Sequence, residues 1–415
     1  MLNKRIFKIC MTLSFLFLSS HVYSMNVKTL YDTLILPPKT PGALFQFSAQ
    51  IQTGFSTVGR NCEGLPFNIL QVYNCDQNAL KMLEGFDPDS VIGQLRTRIH
   101  AIDNGVRGHF CVTGDLKVDC RLDLSGWYYF LDDFSLSLHL PVYSMQLKQV
   151  RWQDQTRSIS AQDFRVKEYL TNDFFNTVCN LGNLDLCGWK RSGVGDLLAL
   201  FEWKRDFGQP KKVLKNVCLS GRGGVIIPTG KCQDEDKLFA FAFGNDGATG
   251  LLVGGGIDLN LGKYIRTGLD VQLEHYFGHR KCRRVKTHVC QTDFLLLAKA
   301  ETFKEYALTQ RFNLYAEAYR ICKGASFKVG YQYIKHGDDY LYMCGCDIPD
   351  SIVNTAQRLQ EWTIHSFIFN FGYDFYDKDS DRRVNPYIAL FLKVPFNGMR
   401  TVMEKTVGFT FAIDF

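Results

Sequence analysis

The 415-residue sequence lacks long apolar runs beyond its N-terminal region. No later stretch approaches the roughly 20 apolar residues that a transmembrane helix needs, and mean hydropathy is only −0.12. The sequence also lacks a strong excess of one charge, because its 48 Lys and Arg are nearly balanced by 42 Asp and Glu. The densest basic stretch, 279–286, is typical of a solvated or lipopolysaccharide-contacting loop. The composition therefore excludes a helical membrane protein and indicates no nucleic-acid partner.

Motifs for metal and nucleotide binding are lacking as well. Cys179 and Cys187 could suggest zinc, but no second half-site of the CxxC type follows. Glycines 254–256 lie inside an alternating stretch, with no helix after them and no acidic partner at the spacing of a dinucleotide site. The sequence predicts neither a metal nor a cofactor.

Aromatic residues, in contrast, are abundant. They make up 14% of the chain, with 33 Phe and 19 Tyr. A membrane β-barrel places such residues on its lipid-facing band and at both interfaces, while its polar lumen keeps mean hydropathy low. A soluble β-sandwich with a large aromatic core would have the same composition, so composition alone leaves both architectures open.

The N-terminus has the pattern of a secretory signal peptide. Lys4, Arg5 and Lys8 precede an apolar run over 9–18 that is too short to span a bilayer, and 22–24 offers a cleavage site. Cys10 has no lipobox before it. With residues 1–24 removed and no stop-transfer helix, the chain is predicted to reach the periplasm, the exterior or the outer membrane.

Alternation of apolar and polar residues, repeated along the chain, favours the outer membrane. A membrane strand needs about nine to eleven residues with lipid-facing and lumen-facing side chains in turn. In 45–55, Phe45, Phe47 and Ile51 alternate with Gln46 and Gln50. Similar patterns recur at 116–125, 134–140, 265–277, 327–333 and 366–375, and less regular ones at 197–203, 217–227, 251–261, 312–320 and 388–396.

The last stretch, 406–415, gives the most specific signal. Phe409, Phe411, Ile413 and Phe415 share one face and Phe415 ends the chain. A terminal Phe on an alternating strand resembles the signal read by the barrel-assembly machinery of the outer membrane. We therefore expect these four residues to act as an assembly signal.

The connections between these stretches predict the topology. Short turns at 132–133, 262–263, 322–325 and 376–385 fall on the periplasmic side if the last strand runs toward the periplasm. Long connections at 57–108, 147–195, 228–249, 278–310 and 336–362 then fall outside, which is the usual asymmetry. The predicted fold is all-β: a transmembrane antiparallel up-and-down barrel over 44–415 of about 12 strands, after a periplasmic segment at 25–43. Residues 294–308 are interpreted as an outer or lumen-folded element, for which the sequence leaves a helix open; a hairpin there would give 14 strands.

Cysteines cluster in the predicted outer loops. In an oxidising compartment they suggest staples within single loops. The sequence does not fix their pairing, and the odd number after signal removal leaves one thiol free or intermolecular. The disulfide candidates are Cys62 with Cys75, Cys179 with Cys187, and Cys282 with Cys290.

One segment carries a family resemblance. Ser192-Gly193-Val194-Gly195-Asp196-Leu197 is followed some thirty residues later by Gly223 to Gly230, which ends in Pro-Thr-Gly. This pattern, over about 190–277 and the terminal strand, resembles the transporter-like "meta-pathway phenol degradation" outer-membrane proteins. The resemblance implies a porin-like outer-membrane barrel. The Cys-containing loops and the long 57–108 insertion depart from it, so it implies no substrate class.

A barrel of this size encloses a narrow lumen whose inward residues decide what passes. We therefore predict an outer-membrane channel for passive passage of small solutes. The residues predicted to line the lumen are Lys117, Asp119, Arg121, Asp123, Arg266, Asp270 and Glu274, with Gln46, Gln50, Gln52, Asn370 and Asp374.

Two other functions remain open at this point. If the lumen charges pair with each other and fill it, the protein is a structural or adhesive surface barrel with stapled loops. A barrel-embedded lipid hydrolase would need a site such as His139 beside Ser137; His365 and Ser366 point to opposite faces and cannot act together. We expect no enzyme. The expected partners are outer-membrane lipid and lipopolysaccharide, the assembly machinery and a second copy of the chain.

Overall fold

In the computed structural model, which describes residues 31–99, 107–156, 164–321, 324–345, 347–376 and 384–415, twelve long strands form one antiparallel barrel. The first of them pairs with both the last and the second, so the sheet closes on itself. The prediction of an outer-membrane β-barrel with 12 strands is confirmed. The barrel strands are β1 (Phe45–Arg60), β4 (His109–Leu131), β5 (Phe134–Asp154), β7 (Leu197–Gly208), β8 (Leu214–Ile227), β9 (Gly250–Leu261), β10 (Ile265–Tyr276), β13 (Thr309–Ile321), β14 (Ala325–His336), β16 (Trp362–Asp374), β17 (Asn385–Met399) and β18 (Thr401–Asp414).

The alternation in the sequence explains the wall. On β1 the apolar side chains of Phe45, Phe47 and Ile51 are exposed, whereas Gln46 and Gln50 between them are buried inside. The same division continues around the barrel and leaves a band of large apolar side chains on the outer surface. Closure satisfies every edge of the sheet, and the apolar band faces lipid, as a membrane barrel requires.

The two ends of the barrel differ. One end carries the chain terminus at Phe415 and short turns, such as that between β4 and β5. The other carries five long connections and one tight turn at Arg400 between β17 and β18. Barrels of the outer membrane have short periplasmic turns and long extracellular loops, so the long connections mark the outer end.

The long connections fold together into a structure that we call the cap: the described parts of 61–108, 155–196, 228–249, 277–308 and 337–361. Apolar residues of the cap and of the outer halves of β4 and β5 share one buried cluster, which includes Leu70, Met82, Leu170, Phe174, Val178 and Leu295. Its regular elements are β2 (Pro66–Phe67), β3 (Asp76–Asn78), β6 (Trp189–Val194), β11 (His279–Arg284), β12 (Lys299–Glu305), β15 (Tyr340–Met343), α1 (Val91–Ile99), α2 (Phe164–Lys167), α3 (Phe174–Gly182) and α4 (Asp350–Val353).

One predicted element takes another form. The sequence predicts an outer or lumen-folded element at 294–308 and leaves a helix open there, but the stretch contains β12, which pairs with β11 and β15 in a small sheet of the cap. Lys299, Glu301 and Glu305 alternate there with Ala300 and Thr302, which are buried. The period of two, not the apolar run at 294–297, decides the conformation. No helix among the described residues is long and apolar enough to cross a membrane.

The prediction of a periplasmic segment at 25–43 needs correction for residues 31–38, whereas Thr40 bonds to Asp414 at the periplasmic end of the last strand. Residues 31–38, which we call the plug, lie inside the barrel. Leu34 and Ile35 pack against Ile368 and Phe391 of the inner wall. The apolar side chains of the plug gain burial there that the periplasm could not offer. The predicted signal peptide at 1–24 lies outside the described residues.

Candidate functional site

The plug is fixed to the inner wall by polar contacts as well as by two apolar patches, of which one contains Leu34 and Ile35 and the other Tyr31 and Leu36. Tyr31 donates a hydrogen bond from its hydroxyl to Glu202 at 3.1 Å, and Thr33 donates one to Asp270 at 3.2 Å. The wall also binds the plug backbone: Gln50 Nε2 donates to the Ile35 carbonyl at 3.0 Å, and Arg311 donates to the Tyr31 carbonyl. The bond from Gln50 is neutral and contributes about 0.5–1.5 kcal/mol net, whereas each bond that involves Glu202, Asp270 or Arg311 contributes about 1.5–3 kcal/mol. The plug is therefore held by several individually modest contacts.

Ion pairs line the inner wall around the plug, and one joins the plug to that wall. Arg222 pairs with Asp270 at 2.6 Å, and Arg311 pairs with Glu274 at 3.2 Å. Asp32 of the plug lies 3.6 Å from Lys393 and accepts a hydrogen bond from Gln332 at 3.1 Å. Because these charges are removed from bulk water, losing one partner costs far more than it would at a surface.

Beyond the plug the lumen opens into a cavity of about 100 Å³, which we call the lumen cavity. Tyr31, Asp32 and Ile35 of the plug border it on one side. Its walls combine apolar and charged side chains, among them Val118, Ile334, Val402, Arg121, Lys393 and Glu404. The interior is therefore neither packed solid nor uniformly polar.

A second cavity, of about 180 Å³, lies in the cap. Thr309 and Trp362 border both cavities, and we call the place where they lie the neck. His336 stacks on Trp362 with ring centroids 5.9 Å apart and is hydrogen-bonded with Thr309 at 2.7 Å. The two cavities thus adjoin where the indole of Trp362 and the hydroxyl of Thr309 lie.

Carboxylates of the cap are held ionised by neighbouring cations. Burial by itself would raise the pKa of Asp339, but Lys304 at 2.7 Å and His336 at 3.0 Å hold it well below its ordinary value. Burial likewise opposes ionisation of Asp246, whose pKa is nevertheless lowered by Lys281 and Arg283. These pairs join the β11–β12 sheet to the loops around it.

Most residues predicted to line the lumen do face inward. Arg121 and Asp123 pair at 2.8 Å on the cavity wall, and Gln52 donates to Asp123 at 3.0 Å. Asp270, Glu274, Gln50 and Asn370 are buried inside the barrel, and Gln46 donates to the Pro38 carbonyl. Arg266, which lies 3.7 Å from Glu317, and Asp374, which accepts from the Tyr376 amide, occupy the periplasmic end.

Lys117 and Asp119 are corrections, because they lie on the outer face. The pairing of β4 with β5 shifts register between Val118 and Cys120, where Asp119 forms a β-bulge. A bulge inserts one residue and reverses which face the following side chains occupy. Asp119 therefore accepts a hydrogen bond from Gln146 at 2.5 Å outside, while Val118 and Arg121 both point into the lumen cavity.

The plug and several inward charges escaped the sequence prediction. Arg222, Arg311, Lys393 and Glu404 lie in stretches whose alternation is irregular or interrupted by bulges. The plug itself had a signal: the short apolar run 34–36 before two prolines is unusual for a segment left in water.

The cysteines predicted to form staples are not bonded to one another in this structure. No disulfide occurs among the described residues, and Cys62, Cys75, Cys179, Cys187, Cys282 and Cys290 are all exposed. Burial, and after it the nearby Cys62 and Cys111, raises the pKa of the Cys75 thiol, so these three thiols lie close together in one outer region. The three pairings remain predictions.

The motif behind the family resemblance has a clear structural role. Asp196 is fully buried, and its carboxylate accepts hydrogen bonds from the Gly230 amide at 2.9 Å and the Asn245 amide at 2.6 Å. Thr229 accepts from the Leu197 amide and donates to the Gly195 carbonyl. A side chain at Gly244 would collide with the Asp196 carboxylate. The motif thus clamps the 228–249 loop onto the barrel rim.

His139 and Ser137 do come together in the lumen. His139 is hydrogen-bonded with Ser137 at 3.0 Å and with Ser125 at 2.8 Å, and Ser137 donates to Glu202. Catalytic serine–histidine pairs have a third group, usually a carboxylate, that orients the histidine. In the described part of the chain, His139 is instead hydrogen-bonded to two hydroxyl groups, and the carboxylate of Glu202 accepts a hydrogen bond from Ser137.

The assembly-signal residues lie where a lipid-facing strand would put them. Phe409, Phe411 and Phe415 are exposed on the outer face of the last strand or just after it, and Phe415 meets Phe47 edge to face at 6.2 Å. Ile413 is half-buried on the same face.

No known protein-family model and no curated protein sequence matches this chain. Among solved structures, an outer-membrane channel from Pseudomonas putida F1 is 12% identical, covers 92% of this chain and 100% of its own, and has a TM-score of 0.48. A FadL homologue from Pseudomonas aeruginosa is 8% identical over 89% of each chain, with a TM-score of 0.27. The outer-membrane channel DcaP of Acinetobacter baumannii is 9% identical over 89% of this chain and 96% of its own, with a TM-score of 0.24.

Proposed function

We propose that the protein is an outer-membrane channel for small solutes and that the plug closes it at rest. The observation that carries the proposal is the construction of the interior. Two cavities adjoin at the neck, and the plug on the periplasmic side is held by hydrogen bonds, one ion pair and two small apolar patches rather than by one continuous apolar core. A segment held in this way can leave a polar lumen at modest cost, because the exposed groups regain bonds to water.

Swelling of proteoliposomes tests the proposal. Full-length mature protein is reconstituted, and swelling is followed in isosmotic glycine, arabinose and raffinose. Because the plug is expected to leave the lumen transiently, glycine and arabinose should enter slowly and raffinose should not. A blocking variant is Val402→Trp, which places an indole in the lumen cavity. Val402 is only 1% exposed there. A channel through the lumen is contradicted if liposomes with the wild-type protein swell no faster than empty liposomes, or if those with Val402→Trp swell as fast as those with the wild type.

A structural or adhesive surface barrel is the second candidate, because the lumen is occupied by the plug and the outer mouth is covered by the cap. In that case the plug would be permanent. Absence of swelling for every solute, together with adhesion to a surface that is lost on trimming the cap by protease, would favour this function.

The proposal also covers the export of the protein, its insertion into the outer membrane and its partners. We expect export by the signal peptide, insertion by the assembly machinery through Phe409 to Phe415, contact of the outer loops with lipopolysaccharide, and loop disulfides once the chain is outside. A homo-oligomer is also expected. We propose no catalytic activity. If the protein released fatty acid from a phospholipid, and His139→Ala abolished that release, the proposal would be contradicted.

A further inference from the structure

We infer that the lumen cavity binds a small organic ammonium that carries a hydroxyl group, and that Glu404 recognises its charge. This inference deepens the proposed function, since the bound compound would be the class of solute that passes. It rests on that function only for passage; binding itself can be present in a barrel that does not conduct.

Charge pairing in the cavity leaves one carboxyl over. Three cations and four carboxyl groups border it, and each cation has a partner. Arg121 pairs with Asp123 at 2.8 Å, Arg311 with Glu274 at 3.2 Å, and Lys393 with Asp32 at 3.6 Å. Glu404 is the fourth carboxyl, and within the described chain it forms no ion pair. A cationic ligand would complete the set.

The wall is built to turn this carboxyl inward. Gly54 of β1 stands beside it, and a Cβ there would lie 1.8 Å from Glu404 Oε1, so any side chain would displace the carboxyl. The Val118 amide donates a hydrogen bond to Oε1 at 3.2 Å. The pairing of β1 with β18 shifts register beside Gly54, and that of β4 with β5 shifts beside Val118. Bulges of this kind often re-aim a side chain toward a functional site.

Further unsatisfied polar atoms border the same cavity. Trp362 is 3% exposed and Thr406 is 7% exposed, and neither the indole N–H nor the threonine hydroxyl has a hydrogen-bond partner among the described residues. Buried polar groups of this kind are normally bonded. The indole can only donate, so it fits an acceptor such as a hydroxyl oxygen, while the threonine oxygen can accept from an ammonium group.

The size and remaining lining of the cavity define the rest of the ligand. A volume of about 100 Å³ is somewhat less than the roughly 150 Å³ cavity known to accept benzene. Val118, Ile334 and Val402 offer an apolar surface. A compact branched amino alcohol of about six non-hydrogen atoms combines the charge, the hydroxyl and the apolar body within that space.

Two probes of the same shape test the inference. They are 2-amino-2-methylpropan-1-ol, which is cationic at neutral pH, and 2,2-dimethylpropan-1-ol, in which a methyl group replaces the ammonium. Binding to the full mature protein, refolded in detergent, is measured by ligand-observed NMR titration at pH 7.5. The cationic probe should bind at least tenfold more tightly. Equal binding of the two probes to the wild-type protein overturns the inference, whatever the variants do.

Variants locate the site. Glu404→Gln keeps the size of the side chain and an acceptor for the Val118 amide, and it should weaken the cationic probe at least tenfold while leaving the neutral probe unchanged. The control is Asp115→Asn, which changes an exposed carboxyl on the outer face of β4. It should alter the binding of neither probe. Unaltered binding of the cation to Glu404→Gln overturns the inference. Binding without liposome swelling would contradict passage and leave the ammonium site standing.

Discussion

The plug and the cap both cover the lumen, but they are held in opposite ways. The cap joins one large apolar cluster in which Leu70, Met82 and Leu170 are fully buried. The plug buries Leu34 and Ile35 against one small patch of wall and packs Tyr31 and Leu36 against another. Its remaining contacts are hydrogen bonds and one ion pair. Apolar burial cannot be replaced by water, whereas polar contacts can.

This difference assigns the two parts different roles. The cap should behave as a fixed outer domain that leaves a cavity leading to the neck. The plug should be the part that moves, because the wall groups it releases are polar and can be solvated. Passage is therefore expected to depend on the plug and to be largely insensitive to the packing of the cap.

The largest expected effect comes from the cap core. Phe174 stacks on Phe110 with centroids 4.2 Å apart and lies 5.3 Å from the ring of Trp152. Phe174→Ala should destabilise the cap by about 3–5 kcal/mol, since it empties a packed aromatic site. Limited proteolysis should then cut the cap much faster. Phe175→Ala, at a half-exposed neighbour on the same helix, should change little.

A smaller effect is expected on the plug. Asp32→Asn removes the partner of Lys393 and should weaken the closed state by about 1.5–3 kcal/mol, the usual value of a bond to a charged group. At 1.4 kcal/mol per tenfold, the open population should rise roughly ten- to hundredfold. Open probability in planar bilayers measures it. Asp374→Asn, an inward carboxyl away from the plug, should leave it unaltered; if both variants behave alike, the plug contact is not the cause.

Acid should loosen the cap by less again. The folded pKa of Asp339 lies below its ordinary value of 3.8, so this residue stabilises the cap fully above pH 3.8 and loses that contribution as the pH falls further. Asp246 follows the same sign. The expected loss is on the order of 2 kcal/mol. Protease resistance measured between pH 7 and pH 2.5 should fall in that window, and less steeply in Asp339→Asn.

The smallest expected effect concerns Asp338, which directly precedes Asp339 in the chain. Burial, followed by Glu361 and Asp339, raises its pKa to about 6. Its ionised form is therefore disfavoured in the folded cap, and stability is lost as the pH rises from 3.8 through 6. Asp338→Asn should stabilise the cap above pH 6 by no more than about 1 kcal/mol, because the residue is exposed. No gain at pH 7.5 in thermal unfolding contradicts this assignment.

Local pattern was enough to predict the barrel wall. The period-two alternation of Phe45, Phe47 and Ile51 with glutamines fixes which face meets lipid, and turn lengths fix the strand order. Arg121, Asp123 and Asp270 followed from the same pattern. Lys117 and Asp119 did not, because a bulge reverses the facing and nothing in the neighbouring residues marks where an extra residue will be accommodated.

The plug and the cap depend on contacts distant in sequence. Asp32 meets Gln332 and Lys393, some three hundred residues later, and no local rule connects them. The conformation of 294–308 could not be predicted for a related reason: β12 exists because β11 and β15 lie on both sides of it. Glu404 stands out only once its neighbour is known to be Gly54.

Single-channel conductance of the wild-type chain beside a chain lacking residues 31–38 tests the central claim most directly. The shortened barrel, checked for folding by its heat-modifiable migration in gels, should show a conductance at least tenfold larger or stay open almost all the time. Equal conductance in both chains, or none in either, would contradict a channel closed by its own N-terminal segment.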